Sequence, residues 1–325
     1  MIKKIDNNLP EDLVTIEYMM GNLCNYKCHY CFPGSNEGDQ PWPHIDILKK
    51  NFSHLLDYYV KNNKKVFHLY LIGGETTLWP QLEEFCDYYK SNYNIILEIS
   101  TNATRKINWW KDNFRLFDHV GISVHHETVR IPHIIEVADL LYEKNVCVCV
   151  DILIDPHAFE KCIFFVDLLK QSNNPWPIVA KSVHFNGEHR YTDIQLEYFK
   201  DDIIKRYPPV SWYNQTNKKT KLELEITYKN GSSIKVFNDS WLLRNNLNKF
   251  RGWSCNLGLD VIKIFPDGRI TGNCQQNLFG LDFDHNLYSG NFIKEFNPAF
   301  QPVTCKKILC PCSREAAIKK QDARF

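Results

Sequence analysis

The sequence predicts an α/β fold: six strand–helix units forming a parallel sheet or partial barrel, followed by a small cysteine-rich unit. Three observations carry this. Short β-branched or aromatic runs alternate with amphipathic stretches as far as Tyr207, the pattern of parallel strands with right-handed crossovers. Pro208-Pro209 then ends the alternation. Twelve cysteines in 325 residues gather mainly near the two ends of the chain.

The expected strands are Val14–Met20, Val66–Ile72, Ile95–Ser100, His119–His125, Val146–Ile154 and Val179–Phe185. The expected helices are His44–Asn62, Leu78–Asn92, Ile107–Phe114, Ile131–Lys144, His157–Gln171 and Thr192–Tyr207. Functional loops belong at the C-terminal ends of such strands. Beyond Tyr207, Leu222–Tyr228 and Ser233–Phe237 flank an Asn-Gly turn and read as a hairpin. A second hairpin is expected from Val261–Phe265 and Arg269–Gly272 around Pro266-Asp267-Gly268. The segments expected are 1–190, 191–250 and 251–325.

Composition excludes several classes. Hydrophobic residues make up 44%, charged residues 24%, and the net charge is +1, so the chain is not intrinsically disordered. Near-neutrality also speaks against nucleic acid as a partner. No apolar run approaches the ~18 residues of a membrane span, and MIKKIDNNLPEDL lacks a signal peptide's apolar stretch. The expectation is a soluble cytoplasmic protein with no membrane partner. There, closely spaced cysteines point to metal or catalysis, not disulfides.

Cys24, Cys28 and Cys31 read C-x3-C-x2-C directly after the first expected strand. Composition alone predicts about 0.016 occurrences of this spacing. Three thiolates can hold three irons of a [4Fe–4S] cube and leave the fourth open. A zinc site completed by His29 is the bland alternative, but His29 adjoins Cys28 inside the motif, which gives poor geometry.

These residues, with Tyr30 at the aromatic position of C-x3-C-x-aromatic-C, resemble the radical S-adenosylmethionine (SAM) superfamily. Gly73-Gly74-Glu75 resembles the family's Gly-Gly-Glu-Pro motif, with Thr76 in place of Pro. Ser100-Thr101-Asn102 resembles its Ser-Thr-Asn-Gly segment, with Ala103 in place of Gly. The resemblance implies a partial (β/α)6 TIM-type barrel, with a [4Fe–4S] cluster on the three cysteines. It implies that Gly73, Gly74 and Glu75 meet the methionyl amine of SAM and that Ser123 meets its ribose. Tyr30, Ser100 and Asn102 are further cofactor-binding candidates. Arg130 stands closer to Ser123 than the family spacing has it. The implied chemistry is reductive cleavage of SAM to a 5′-deoxyadenosyl radical that abstracts hydrogen from a substrate carbon, with flavodoxin or ferredoxin as electron donor.

Cys255 and Cys274 bracket the second hairpin, and Cys305, Cys310 and Cys312 follow. A hairpin brings its ends together, so the first two can share one centre. This region resembles the superfamily's auxiliary-cluster extension, SPASM in full and twitch in its shorter form. Five cysteines fit the shorter form with one auxiliary [4Fe–4S] cluster. Two of Cys305, Cys310 and Cys312 would complete the set, Cys305 preferably among them. A four-cysteine zinc ribbon needs the same residues.

His125, Glu127 and Asp151 are the catalytic candidates, as polar groups at or near strand ends. His125 and His126, as adjacent strand residues, are expected on opposite faces. Asp151 and His184 are expected to face the cavity. Cys147 and Cys149 share one strand face, either as small hydrophobes or as a thiol that returns hydrogen to a substrate radical. Cys86 and Cys162 read as helix packing residues. The substrate class stays open between a peptide and a sugar or other small metabolite. Few residues precede Val14, so no leader-binding domain is expected, which weakens the peptide option. The rival class is an iron–sulfur electron carrier or redox sensor without SAM chemistry.

Overall fold

The computed structural model describes residues 1–31, 34–183, 191–201, 223–236, 241–272, 274, 278, 285–310 and 313–324. The expectations for His184 and Cys312 fall outside them. The strands are β1 Ile2–Asn7, β2 Leu13–Met19, β3 Val66–Ile72, β4 Ile95–Thr101, β5 His119–Val124, β6 Cys147–Ile154 and β7 Ile178–Ser182. There follow β8 Leu224–Tyr228, β9 Ser233–Val236, β10 Trp253–Cys255, β11 Val261–Ile264, β12 Arg269–Thr271, β13 His285–Asn286, β14 Val303–Thr304 and β15 Lys320–Asp322.

Strands β2 to β7 lie side by side in sequence order, all parallel. These are the six expected strands. The crossover helices form for readable reasons. In Leu82–Asn92, Leu82, Phe85, Cys86 and Tyr89 recur at helical spacing and are buried. Glu83 and Glu84 sit in its first turn and Lys90 in its last, each complementing the helix dipole. Ile131–Glu143 has Pro132 near its start and buries Ile131, Ile134, Val137, Ala138 and Leu141.

The second hairpin forms from β11 and β12 but does not stand apart. β11 runs parallel to β2 and extends the main sheet to nine strands, in the order β13-β12-β11-β2-β3-β4-β5-β6-β7. A second, six-stranded sheet has the order β14-β10-β15-β1-β8-β9. It takes β1 from the start of the chain, the expected first hairpin (β8 and β9), and three strands from the last quarter. Sheet membership therefore cuts across the segments 1–190, 191–250 and 251–325. The second sheet also has its own apolar core, with Ile5, Leu224, Ile226, Phe250 and Trp253 buried.

Alternation along the parallel strands separates two unlike faces. On the helix-covered face stand Ile16, Tyr18, Leu69, Leu97, Ile99, Val120, Val150 and Ile152, all buried. On the other face stand Glu17, His68, Glu98, Ser100, His119, Ser123, Asp151 and Lys181. Parallel sheets are normally apolar on both faces; here one face carries charged and polar groups.

Candidate functional site

The loop after β2 carries Cys24, Cys28 and Cys31. It is held against the end of β3 by two backbone bonds, Gly74 N–H to Gly21 O at 2.9 Å and Glu75 N–H to Leu23 O at 2.8 Å. The approach needs both glycines. A Cβ on Gly74 would lie 2.1 Å from Leu23 O, and one on Gly73 would lie 2.3 Å from Gly21 O. Gly73 also adopts φ +143°, a region L side chains rarely adopt.

Glu75 is fully buried, and its carboxylate is occupied by the protein. Oε1 accepts from Thr77 N–H (3.2 Å), Thr77 Oγ1 (2.5 Å) and Thr101 Oγ1 (2.6 Å). Oε2 accepts from Asn102 N–H at 2.6 Å. Burial raises this carboxyl above its ordinary range against the pull of those hydrogen bonds. Asn102 passes the order on: its Nδ2 donates to Asn25 Oδ1 (2.9 Å) and lies 3.9 Å from Cys24 Sγ. Ala103 stands at φ +55°, where the family pattern has Gly. The neighbouring loop is pinned by His133 Nε2, 3.0 Å from both Ala103 O and Arg105 O. Beside Asn102 lies a cavity of ≈ 380 Å³, also lined by Tyr26, Thr104, Ile107 and Arg130.

Tyr30 is buried against Val183 and Leu153. Its hydroxyl lies 3.2 Å from His125 Nδ1. The rings of His125 and His126 both stack on it, at 5.9 and 5.8 Å. The expectation of opposite faces fails because β5 ends at Val124, so both histidines sit in the following turn. Burial holds the His125 imidazole down at about 4, with Glu127 opposing and His126 adding. Glu127 is exposed and pairs with His29 Nδ1 at 2.6 Å. His29 Nε2 lies 3.2 Å from the buried Asp155. His29 thus engages carboxylates, and Asp155 is a participant the sequence reading missed.

Ser100 and Ser123 are half-buried on the polar face. Asp151, in register with Ser123, is ion-paired to Lys181 at 2.5 Å. Cys149 Sγ lies 3.7 Å from Asp151 Oδ1. Cys86 and Cys162 are buried in helices, as expected.

At the far end of the chain, Cys255, Cys274, Cys305 and Cys310 line one small cavity of ≈ 20 Å³, together with Phe250, Leu257, Glu315 and Lys320. Each is held from its backbone. Cys255 ends β10, Cys305 N–H bonds Trp253 O (2.8 Å), Cys310 N–H bonds Asn248 O (2.8 Å), and Cys274 N–H bonds Glu315 Oε2 (3.1 Å).

Among the described residues, neither cysteine group gathers three thiols as closely as a single ion requires. Two thiolates on one zinc sit roughly 3.8 Å apart, from a Zn–S bond of ~2.3 Å. Among the described residues, no three of these thiols converge within 4.8 Å. Burial, then the Glu127 carboxylate, pushes the Cys28 thiol up to about 12, and burial raises Cys24 and Cys255 as well. Such thiols lose their protons when cationic metal compensates them.

Residues 18–151 match the family described as the Radical SAM superfamily. That stretch runs from the end of β2 into β6 and contains the cysteine loop, Gly73-Gly74-Glu75 and Asn102. Over 106 residues the chain is 26% identical to the radical SAM cyclopropyl synthase TigE of Paramaledivibacter caminithermalis. The match covers 28% of this chain and 22% of that protein, so the chain spans about a fifth of that curated relative. The chain carries a radical SAM domain. Members of that superfamily are enzymes that use a [4Fe–4S] cluster, SAM, a reductant and a substrate. No helix of the described residues is long and apolar enough to cross a membrane.

Proposed function

We propose that this chain is a radical SAM enzyme whose catalytic cluster is held by Cys24, Cys28 and Cys31, with an auxiliary [4Fe–4S] cluster on Cys255, Cys274, Cys305 and Cys310. The observation that carries the reading is the join between the cysteine loop and Gly73-Gly74-Glu75. Three thiols lie on a loop whose position is fixed by the strand end that the family uses for SAM. When bound, the reduced cluster and SAM together supply a 5′-deoxyadenosyl radical.

The chain's own residues then have distinct tasks. Gly73 and Gly74 let two backbones meet, and Glu75 locks three strand-end segments together. The ≈ 380 Å³ cavity beside Asn102 and Arg130 has the volume of a small-ligand pocket and offers room for part of SAM. The polar face receives the substrate: Ser100, Ser123 and the Asp151–Lys181 pair present hydrogen-bonding groups, and Tyr30 with His125 closes the opening. Such a chamber positions a carbon for hydrogen abstraction and excludes water. Cys149, half-buried beside Asp151, is placed to return hydrogen to a substrate radical. The auxiliary cavity, 19 residues wide in sequence across its hairpin, draws Cys255 and Cys274 to a site joined to β1 through β15, from which an electron can reach or leave the chamber.

The substrate is a peptide or a sugar-like metabolite. The cyclopropyl synthase named above supports the oxidative, bond-forming side of radical SAM chemistry. An electron carrier would have no use for the glycine-braced SAM motif.

The test is anaerobic reconstitution with iron and sulfide, followed by SAM and dithionite. The expected result is about eight irons per chain, four per cube, and formation of 5′-deoxyadenosine. Replacing Cys24, Cys28 and Cys31 with Ala should remove four irons and the product. Full iron loading without any 5′-deoxyadenosine, or spectral response to SAM, would favour the carrier.

A further inference from the structure

The polar face carries a second cluster of ligating groups, away from the cysteine loop. His68 on β3, Glu98 on β4 and His119 on β5 are all at least nine-tenths buried. One ligand atom from each lies within 4.8 Å of the other two. His68 Nε2 is 2.6 Å from Glu98 Oε2, Glu98 and His119 are register partners, and the two imidazole rings are 6.1 Å apart. The strands are adjacent, and alternation turns all three side chains inward together. His68 precedes Gly73 by five positions, which is roughly 16 Å along a strand.

We propose that His68, Glu98 and His119 form a divalent-metal site of zinc(II) class, with a position left for water. Two imidazoles and one carboxylate on three neighbouring rigid strands are the donor set of an open zinc site. A sheet interior also supplies what a loop cannot: donors fixed before the ion arrives. Cys147, in register with His119 on the same face, is the next ligating group along the sheet. In the metal-bound form, ligand bonds of ~2.1 Å at a tetrahedral angle set the His68–Glu98 separation at roughly 3.4 Å, so loading opens that contact by under an ångström. The bound ion would clamp β3, β4 and β5 beneath the substrate chamber.

The test uses the full chain, purified without added iron and stripped with chelator, then titrated with cobalt(II) and with zinc(II). Cobalt in this site gives ligand-field bands without the thiolate-to-metal charge transfer that cysteine sites give. The expected result is one such cobalt per chain, displaced by zinc, with affinity at least 100-fold weaker in both Glu98→Gln and His119→Asn. Circular dichroism shows whether those variants are folded. If they are not, anomalous diffraction at the zinc edge on the wild-type chain decides, a peak between the three side chains supporting the site. Cobalt bound only through thiolates, affinity unchanged in folded variants, or no anomalous peak there would overturn it. None of these readouts depends on SAM cleavage, so the site fails or stands apart from the radical chemistry.

Discussion

The carboxylate of Glu75 accepts the backbone N–H of Asn102 at 2.6 Å, and this bond ties the end of β3 to the end of β4. Glu75 also takes the N–H and hydroxyl of Thr77 and the hydroxyl of Thr101. A glutamine in its place has one oxygen for two backbone donors, Thr77 N–H and Asn102 N–H. Whichever way its amide turns, one of them faces an NH2 group. An unsatisfied buried donor costs about 1–3 kcal/mol. Glu75→Gln should therefore lower unfolding stability by about that amount in urea titration, and weaken SAM binding with it. Unchanged stability alongside lost SAM binding would instead mean that Glu75 serves the ligand alone.

Gly74 makes a sharper prediction. A methyl group there meets backbone atoms, Leu23 O at 2.1 Å and Leu23 C at 2.4 Å, which cannot rotate aside. In Gly74→Ala the cysteine loop must shift, so iron bound by Cys24, Cys28 and Cys31 should fall at least severalfold after reconstitution. Iron at the distant cysteine group should be retained. Gly290→Ala is the control, since a Cβ there meets nothing within 4 Å. Iron analysis on the two variants, each with Cys255 and Cys274 intact, reads the difference.

How much of this was legible in the sequence depends on the range of the interaction. The six parallel strands and their helices follow from local periodicity, and the cysteine loop from its spacing and place after β2. The pairing of β11 with β2 joins residues about 250 apart with no local signal, so the second expected hairpin forms but its place in the main sheet could not be read. β1 was overlooked because Ile2-Lys3-Lys4-Ile5 does not alternate; only Ile2 and Ile5 are buried there. The grouping of His68, Glu98 and His119 required the register of three strands, which one-dimensional patterning does not contain. Asp155 carries no signal in the sequence beyond that of a turn residue, and it accepts His157 N–H at 2.9 Å.

His125 should give the fold a measurable pH dependence. Its folded value of about 4 lies below the ordinary 6.5. Below pH 6.5 the unfolded chain takes up a proton that the folded imidazole refuses, so stability falls as pH drops from 6.5 toward 4 and is flat above that window. The full contribution is up to about 3 kcal/mol, and about 2 kcal/mol of it is lost by pH 5. His125→Gln cannot titrate. The loss in urea-unfolding stability between pH 7.5 and pH 5 should be smaller in this variant than in the parent by roughly that amount; equal losses would place the histidine in solvent.

Lys64 closes the opposite end of the sheet. It is buried, and its ammonium donates to Glu11 O at 2.7 Å, Leu13 O at 3.0 Å and Asp260 Oδ1 at 2.9 Å. One side chain thus joins the entry to β2, the entry to β3 and the turn before β11. Lys64→Met keeps the stem's apolar contacts but strands three acceptors, one of them a carboxylate. Breaking a buried pair costs about 3–5 kcal/mol; Asp260 retains some solvent contact, so about 2–4 kcal/mol is expected here. Adding Asp260→Asn to Lys64→Met removes the orphaned charge and should recover part of the loss, a coupling visible in a double-mutant cycle. Because the three acceptors lie at the strand starts and the cysteine loop at the strand ends, iron loading should be unchanged in the folded fraction. A Lys64→Met protein with parental stability would show that β11 is held to β2 by its ladder hydrogen bonds alone.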